Sequence, residues 1–219
     1  MVSFVQIRDD EEIKTYIQKA DETLRALGYT EHSFAHVVKC SQLAYEVLTL
    51  LGYDERTAEL GQIAGYMHDI GNVVNRIDHA QSGAVMAFRL LDKMGMDAAE
   101  VATIVTAIGN HDEGTAFPVN AVAAALILAD KSDVRRSRVR NRDIASFDIH
   151  DRVNYAVEHS SLTLLPEERT VTLELTIDTD ICAVMDYFEI FLGRMMLCRR
   201  AADFFDLKFR LVINGAKLL

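Results

Sequence analysis

His68 and Asp69 stand side by side inside the otherwise apolar run Ala64-Gly65-Tyr66-Met67-His68-Asp69-Ile70-Gly71. A buried carboxylate is costly unless it is paired or binds a metal. Four further residues with donor atoms, His36, His79, His111 and Asp130, fall at intervals that put each on a different helix. Four imidazoles and two carboxylates can hold one or two divalent ions: iron, manganese, cobalt, nickel, zinc or magnesium. Such ions lower the pKa of bound water, and a pair can clamp the oxygens of an in-line displacement at phosphorus. The donor set is a reason to read the chain as a metalloenzyme, in which a metal-activated hydroxide would need no side-chain base.

A basic run follows Asp130: Lys131, Arg135, Arg136, Arg138, Arg140 and Arg142. Lys131 and Arg135 are four apart, so a continuing helix would place them on one face, with Arg138 extending it. Arginine offers a planar fork to phosphate oxygens, which makes these three the candidate substrate-binding residues. The same run also suits a solvated helix end, where cations complement the dipole. His68, Asp69 and Lys131 form the candidate catalytic group. Asp112, Glu113 and Asp133 are proton donors to a leaving group, ordinary surface acids, or partners of a ligating histidine. His32 competes with His36 or lines the mouth of the site; His150 and His159 default to surface or structural roles.

The elements that must position these residues read as helices as far as about Ser137. Glu11 to Leu27 stops at Gly28, Ser33 to Leu51 stops at Gly52, and Asp54 caps a helix that reaches His68, where Gly71 breaks it. Asp78 with Gln81 suggests a capping box that sets His79 in a first turn, and Asp97 with Glu100 repeats it before a helix to Gly109. Asn120 caps Ala121 to about Arg136, which opens with a run of apolar residues and is therefore expected to be buried. After about residue 145 the style changes. Ser161–Leu165 and Thr170–Ile177 read as a hairpin, Ile181–Phe204 as a helix, and Phe209–Ile213 as a third strand closed by Asn214-Gly215. The expected architecture is mainly α, with a helical metal-binding domain over residues 1–145 and a small C-terminal α+β lobe over residues 146–219. No motif in that lobe suggests chemistry. Apolar residues of its helix, among them Met185, Phe188, Leu192 and Met195, suit core or a homodimer interface.

Composition narrows the class. The chain has 219 residues, half of them hydrophobic, with a net charge of −10. That balance argues against general nucleic-acid or anionic-membrane binding, while allowing a local basic pocket. Cys40, Cys182 and Cys198 form no CxxC pair, and no signal-like or membrane-spanning stretch is evident, so a cytoplasmic protein with reduced thiols is expected.

The order His36, His68-Asp69, Asp130, flanked by Ile70-Gly71 and by Ala129 and Lys131, resembles the HD superfamily of metal-dependent phosphohydrolases from about Glu31 to Arg142. The resemblance implies a helical bundle, and the additional His79 and His111 imply the subset that holds two metals bridged by Asp69. Asn110-His111 and Gly114-Thr115-Ala116-Phe117-Pro118 depart from the His-His and Gly-Tyr-Pro signature of the cyclic-dinucleotide phosphodiesterases, so that substrate is not expected. The resemblance implies a small phosphorylated substrate, with nucleotides among the candidates. Some members of the superfamily instead hold a mixed-valent di-iron centre and activate dioxygen, which is the alternative chemistry. A metal-bearing sensor or scaffold without turnover is the third reading.

Overall fold

Polar caps begin most of the helices. Ser3 forms a capping box at α1 (Phe4–Asp9), and Asp10 accepts from the Ile13 N–H at α2 (Glu11–Ala26). Ser33 starts α3 (Phe34–Leu50), Asp54 starts α4 (Glu55–Met67), Asp97 starts α6 (Ala98–Gly109) and Asn120 starts α7 (Ala121–Lys131), each accepting from a first-turn N–H. The computed structural model describes residues 1–219.

Two expected boundaries fall differently. Asp78 precedes α5 (His79–Lys93) in a left-handed conformation, φ 56°, and its side chain makes no cap bond. The expected capping box is therefore absent, because this backbone turns the carboxylate away from the first-turn N–H groups. Helix α7 ends at Lys131, and Arg135 is fully extended at φ −162°. Lys131 and Arg135 consequently do not share a helical face.

Two glycines allow the helices to approach closely enough for a common site. A Cβ at Gly65 would lie 2.8 Å from the Ser41 backbone, so α3 and α4 touch through bare main chain. A Cβ on Gly71 would meet the His79 carbonyl oxygen at 2.0 Å and the Gly83 nitrogen at 2.4 Å. Gly71 sits in a short 3-10 turn, Ile70–Val73, rather than in a left-handed helix stop. Its role is to let the strand of chain after Asp69 press against the start of α5.

Helix α8 (Ile149–Ala156) leads into β1 (Val157–Leu165), which pairs antiparallel with β2 (Thr170–Ile177) from Leu165↔Thr170 to Val157↔Ile177. Helix α9 (Val184–Phe204) then crosses to β3 (Lys208–Ile213), which lies parallel to β2, and β4 (Ala216–Lys217) closes the sheet in the order β1-β2-β3-β4. The architecture is mainly α with a small α+β portion at the C-terminal end. One hydrophobic cluster runs from Val2 through α7 to Ile213, and α9 packs against α7. No helix is long and apolar enough to cross a membrane.

Candidate metal centre

Five helices deliver six side chains to one point. His36 lies in the first turn of α3, His68 ends α4, and Asp69 follows it. His79 begins α5, His111 lies just past α6, and Asp130 is the penultimate residue of α7. All six are buried. The Asp69 carboxylate stands in the middle with its oxygens facing opposite ways. Oδ2 lies 3.6 Å from His36 Nε2 and 3.3 Å from His68 Nε2. Oδ1 lies 3.5 Å from His79 Nε2 and 4.0 Å from His111 Nε2. Asp130 joins the first group, with Oδ1 3.4 Å from His36 Nε2 and 3.8 Å from His68 Nε2.

Each ring is turned by a bond at its far nitrogen. The Nδ1–H of His68 donates to the Gly65 carbonyl (2.9 Å), that of His79 to the Arg76 carbonyl (3.1 Å) and that of His111 to the Ile108 carbonyl (2.6 Å). A carbonyl can only accept, so a proton sits on Nδ1, and in the neutral ring the lone pair is left on Nε2. His36 Nδ1 meets the Asp133 carboxylate at 2.8 Å, with the same result. This is the arrangement that orients metal-binding histidines.

The inward atoms need a cation. His79 Nε2 and His111 Nε2 face each other at 3.2 Å. His68 Nε2 and Asp69 Oδ2 are buried without a hydrogen-bond partner. Such uncompensated acceptors are destabilising unless positive charge lies among them. The donor set therefore fits one or two divalent ions. Burial keeps His111 well below the ordinary imidazole pKa and lowers His79 as well, which holds both neutral and ready to ligate. Burial opposes ionisation of Asp130, but the adjacent Lys131 holds its carboxyl well below the usual carboxylate range.

The surrounding polar groups sort themselves by partner. Lys131 is buried with Nζ 2.7 Å from Asp130 and 3.5 Å from Glu113; burial disfavours its charge, yet these two carboxylates keep it protonated. Lys131 thus fixes Asp130. Arg135 lies outside the centre with every kind of donor engaged: Nε on Asp133 (3.0 Å), Nη1 on Ser137 (2.7 Å) and Nη2 on Glu31 (3.2 Å). Arg138 donates through Nε to the Glu31 carbonyl and through Nη1 to the Asp133 carbonyl, leaving Nη2. Asp133 is a partner of His36, one of its three expected roles, and also binds Lys39 at 2.8 Å. Against burial, Lys131 and Arg194 hold Glu113 below its ordinary value, so it is an anion rather than a proton donor. Cys40 rests over the His36 ring, with Sγ 3.6 and 3.7 Å from its two nitrogens; burial, then Asp130 and Asp133, push the thiol well up and keep it neutral.

A cavity of about 480 Å³ opens beside the centre. His32, Arg76, Glu113 and Arg138 line it on the helical side; Asp148, the cap of α8, and His150, Asp151 and Asn154 within it, with Phe191 and Arg194 of α9, line the other. Sequence reasoning missed Arg76, whose Nη1 is 3.3 Å from His79 Nε2, because a lone arginine in a loop carries no periodic signal. It also missed Asn72, whose amide holds Asp69 through both the carbonyl and Oδ1, each at 2.9 Å. Its place three residues after Asp69 was the available clue. The α8 and α9 wall belongs to the lobe that had shown no motif.

No curated protein matches the chain. A crystal structure of a predicted HD superfamily hydrolase from an uncultured Thermotogales bacterium aligns with a TM-score of 0.46 and 27% identity, covering 57% of this chain and 67% of that one. The family model for the HD domain matches residues 33–189, from the cap of α3 into α9. That span is well over half the chain and contains all six converging side chains, and the chain belongs to the HD domain family.

Proposed function

We propose that the protein is a metal-dependent phosphohydrolase that cleaves a small phosphoester in the cavity beside Asp69. The observation that carries the reading is the division of the Asp69 carboxylate, Oδ2 toward His36 and His68 and Oδ1 toward His79 and His111. A carboxylate so placed can bridge two ions, the first held with Asp130 as well. When bound, such a pair supplies an activated water and withdraws charge from the phosphoryl oxygens.

The chain's own residues hold and orient. Asn72 fixes the Asp69 carboxylate, and Lys131 fixes Asp130 while adding positive charge to the floor of the site. Arg76 stands at the cavity with Nη1 next to His79 and no carboxylate partner, so its remaining donors suit a phosphate oxygen. Arg138 Nη2 can supply a second contact.

The test is elemental analysis of protein purified anaerobically without chelator, followed by phosphate release with manganese, cobalt, nickel and magnesium. The expected result is about two ions per chain and metal-dependent release. One ion would remove His79 and His111 from the ligand set. Bound iron with oxygen consumption and no phosphate release would replace hydrolysis by oxygenase chemistry, and no metal uptake at all would end both.

A further inference from the structure

The two ends of the cavity carry opposite, unneutralised charge. At the metal end, Arg76 forms no ion pair; its guanidinium lies over the Tyr29 ring and touches only Asn72 and His79. The other two arginines of the wall are answered within the protein, Arg194 by Glu113 and Arg138 by Asp133. At the far end, neither Asp148 nor Asp151 meets a lysine or arginine. Arg152, the nearest cation in sequence, turns to Asp186 at 3.7 Å.

The far end is rich in acceptors, with the His150 imidazole beside them. Asn154 is 6% exposed and donates its amide to the His150 carbonyl at 2.8 Å, which leaves Oδ1 without a donor on the cavity wall. Asp148 accepts the Asp151 N–H as the cap of α8, and its second oxygen has no partner. Asp151 receives only the Asn141 amide, at 3.4 Å. Burial raises the Asp151 carboxyl and nearby Asp148 adds to it, against the Asn141 amide and His150, which lower it. A nearly buried amide oxygen and two carboxylates facing one space ask for a ligand group rich in N–H donors and positively charged.

We infer that the substrate is a zwitterion, a phosphate ester whose leaving group carries a protonated amine, with the phosphate at Arg76 and the ammonium between Asp148, Asp151 and Asn154. The inference rests on the hydrolase reading for the phosphate end only. An uncharged sugar or alkyl group would leave the half-buried Asp151 carboxylate and the Asn154 amide oxygen without compensation, and an anionic one would be repelled.

The experiment uses the full-length, manganese-loaded protein. Phosphate release from ω-aminoalkyl phosphates of increasing chain length is compared with release from n-alkyl phosphates of matched length, with 4-nitrophenyl phosphate as a general reporter of hydrolysis. At the length that spans the cavity, the amine should be favoured by about tenfold or more in kcat/KM. Asp151→Asn, and separately Asp148→Asn, which retains a capping side chain, should pull that ratio toward one. Equal use of both series at every length, or a ratio untouched by either variant, would overturn the inference while leaving hydrolysis standing. Should no phosphate be released even from 4-nitrophenyl phosphate, the hydrolase reading fails. The inference is then judged by thermal-shift binding of the same two series, where tighter binding of the amines supports it and parity sinks it.

Discussion

The residues buried around the C-terminal end of α7 and those buried on the sheet obey different rules. On β2, Val171, Leu173, Leu175 and Ile177 face the core while Glu174 and Thr176 face out, and Phe209, Leu211 and Ile213 of β3 continue the apolar layer. At the end of α7, the buried set is His36, His68, Asp69, Asn72, His79, His111, Asp130, Lys131, Asp133 and Arg138. The sheet gains by removing apolar area from water. The polar cluster gains nothing that way and depends on every charge having an answer, which the protein supplies everywhere except at the inward-facing Nε2 and carboxylate atoms. A cluster built against the ordinary logic of a core, and left incomplete only at its centre, is built to hold something.

Three substitutions sharpen this contrast. Asp69→Asn removes the carboxylate on which both groups of imidazoles converge. Turnover should fall by more than about a hundredfold, with the far-ultraviolet circular dichroism spectrum unchanged; phosphate release at the native rate would contradict the proposed centre. Leu173→Ala on β2 should do the reverse. It should lower stability by about 2–5 kcal/mol through transfer and cavity terms, read by urea denaturation, while activity per folded molecule stays the same. A loss of activity without a loss of stability would mean that the sheet shapes the site directly. The smallest effect belongs to Glu100, which accepts from Arg56 Nε at 2.7 Å and ties α6 to α4. Arg56 lowers its carboxyl below the ordinary value. With the folded pKa below the unfolded one, the pair stabilises fully above the unfolded carboxylate range near about 4.3 and fades as pH falls through the folded value. Glu100→Gln should therefore cost up to about 1 kcal/mol at neutral pH and nothing in strong acid. A stability gap of equal size at both pH values would show that charge is not involved.

The same contrast explains what the sequence made legible. Helices α2 to α7 were readable because their apolar residues recur at helical spacing and their caps are short-range signals. The hairpin was readable because β2 alternates. The six converging residues stood out as polar letters inside apolar runs, and Asp69 most of all. The rest failed where position depended on folding at a distance. Arg135 was expected beside Lys131 because nothing local announces that α7 stops at Lys131; the chain leaves the helix so that Arg138 can reach the Glu31 carbonyl, a partner over a hundred residues away. Arg76 and Asn154 have ordinary local contexts, and only the packing of α8 and α9 against the bundle makes them neighbours of one cavity. The parallel pairing of β2 with β3 likewise follows from the crossover of α9, not from the strands themselves.

The division of the cavity wall has a further consequence. The residues that would hold metal lie on α3 to α7 and are fixed by close backbone contacts at Gly65 and Gly71, where almost any substitution collides with main chain. The opposite wall, from Asp148 to Asn154, lies at the start of a short helix preceded by an irregular, largely exposed segment. Surface segments of that kind accept sequence change readily. A lineage built on this plan can thus diversify what it acts on by rewriting a handful of α8 positions while inheriting its reactive centre intact, so that selectivity and chemistry evolve on separate clocks.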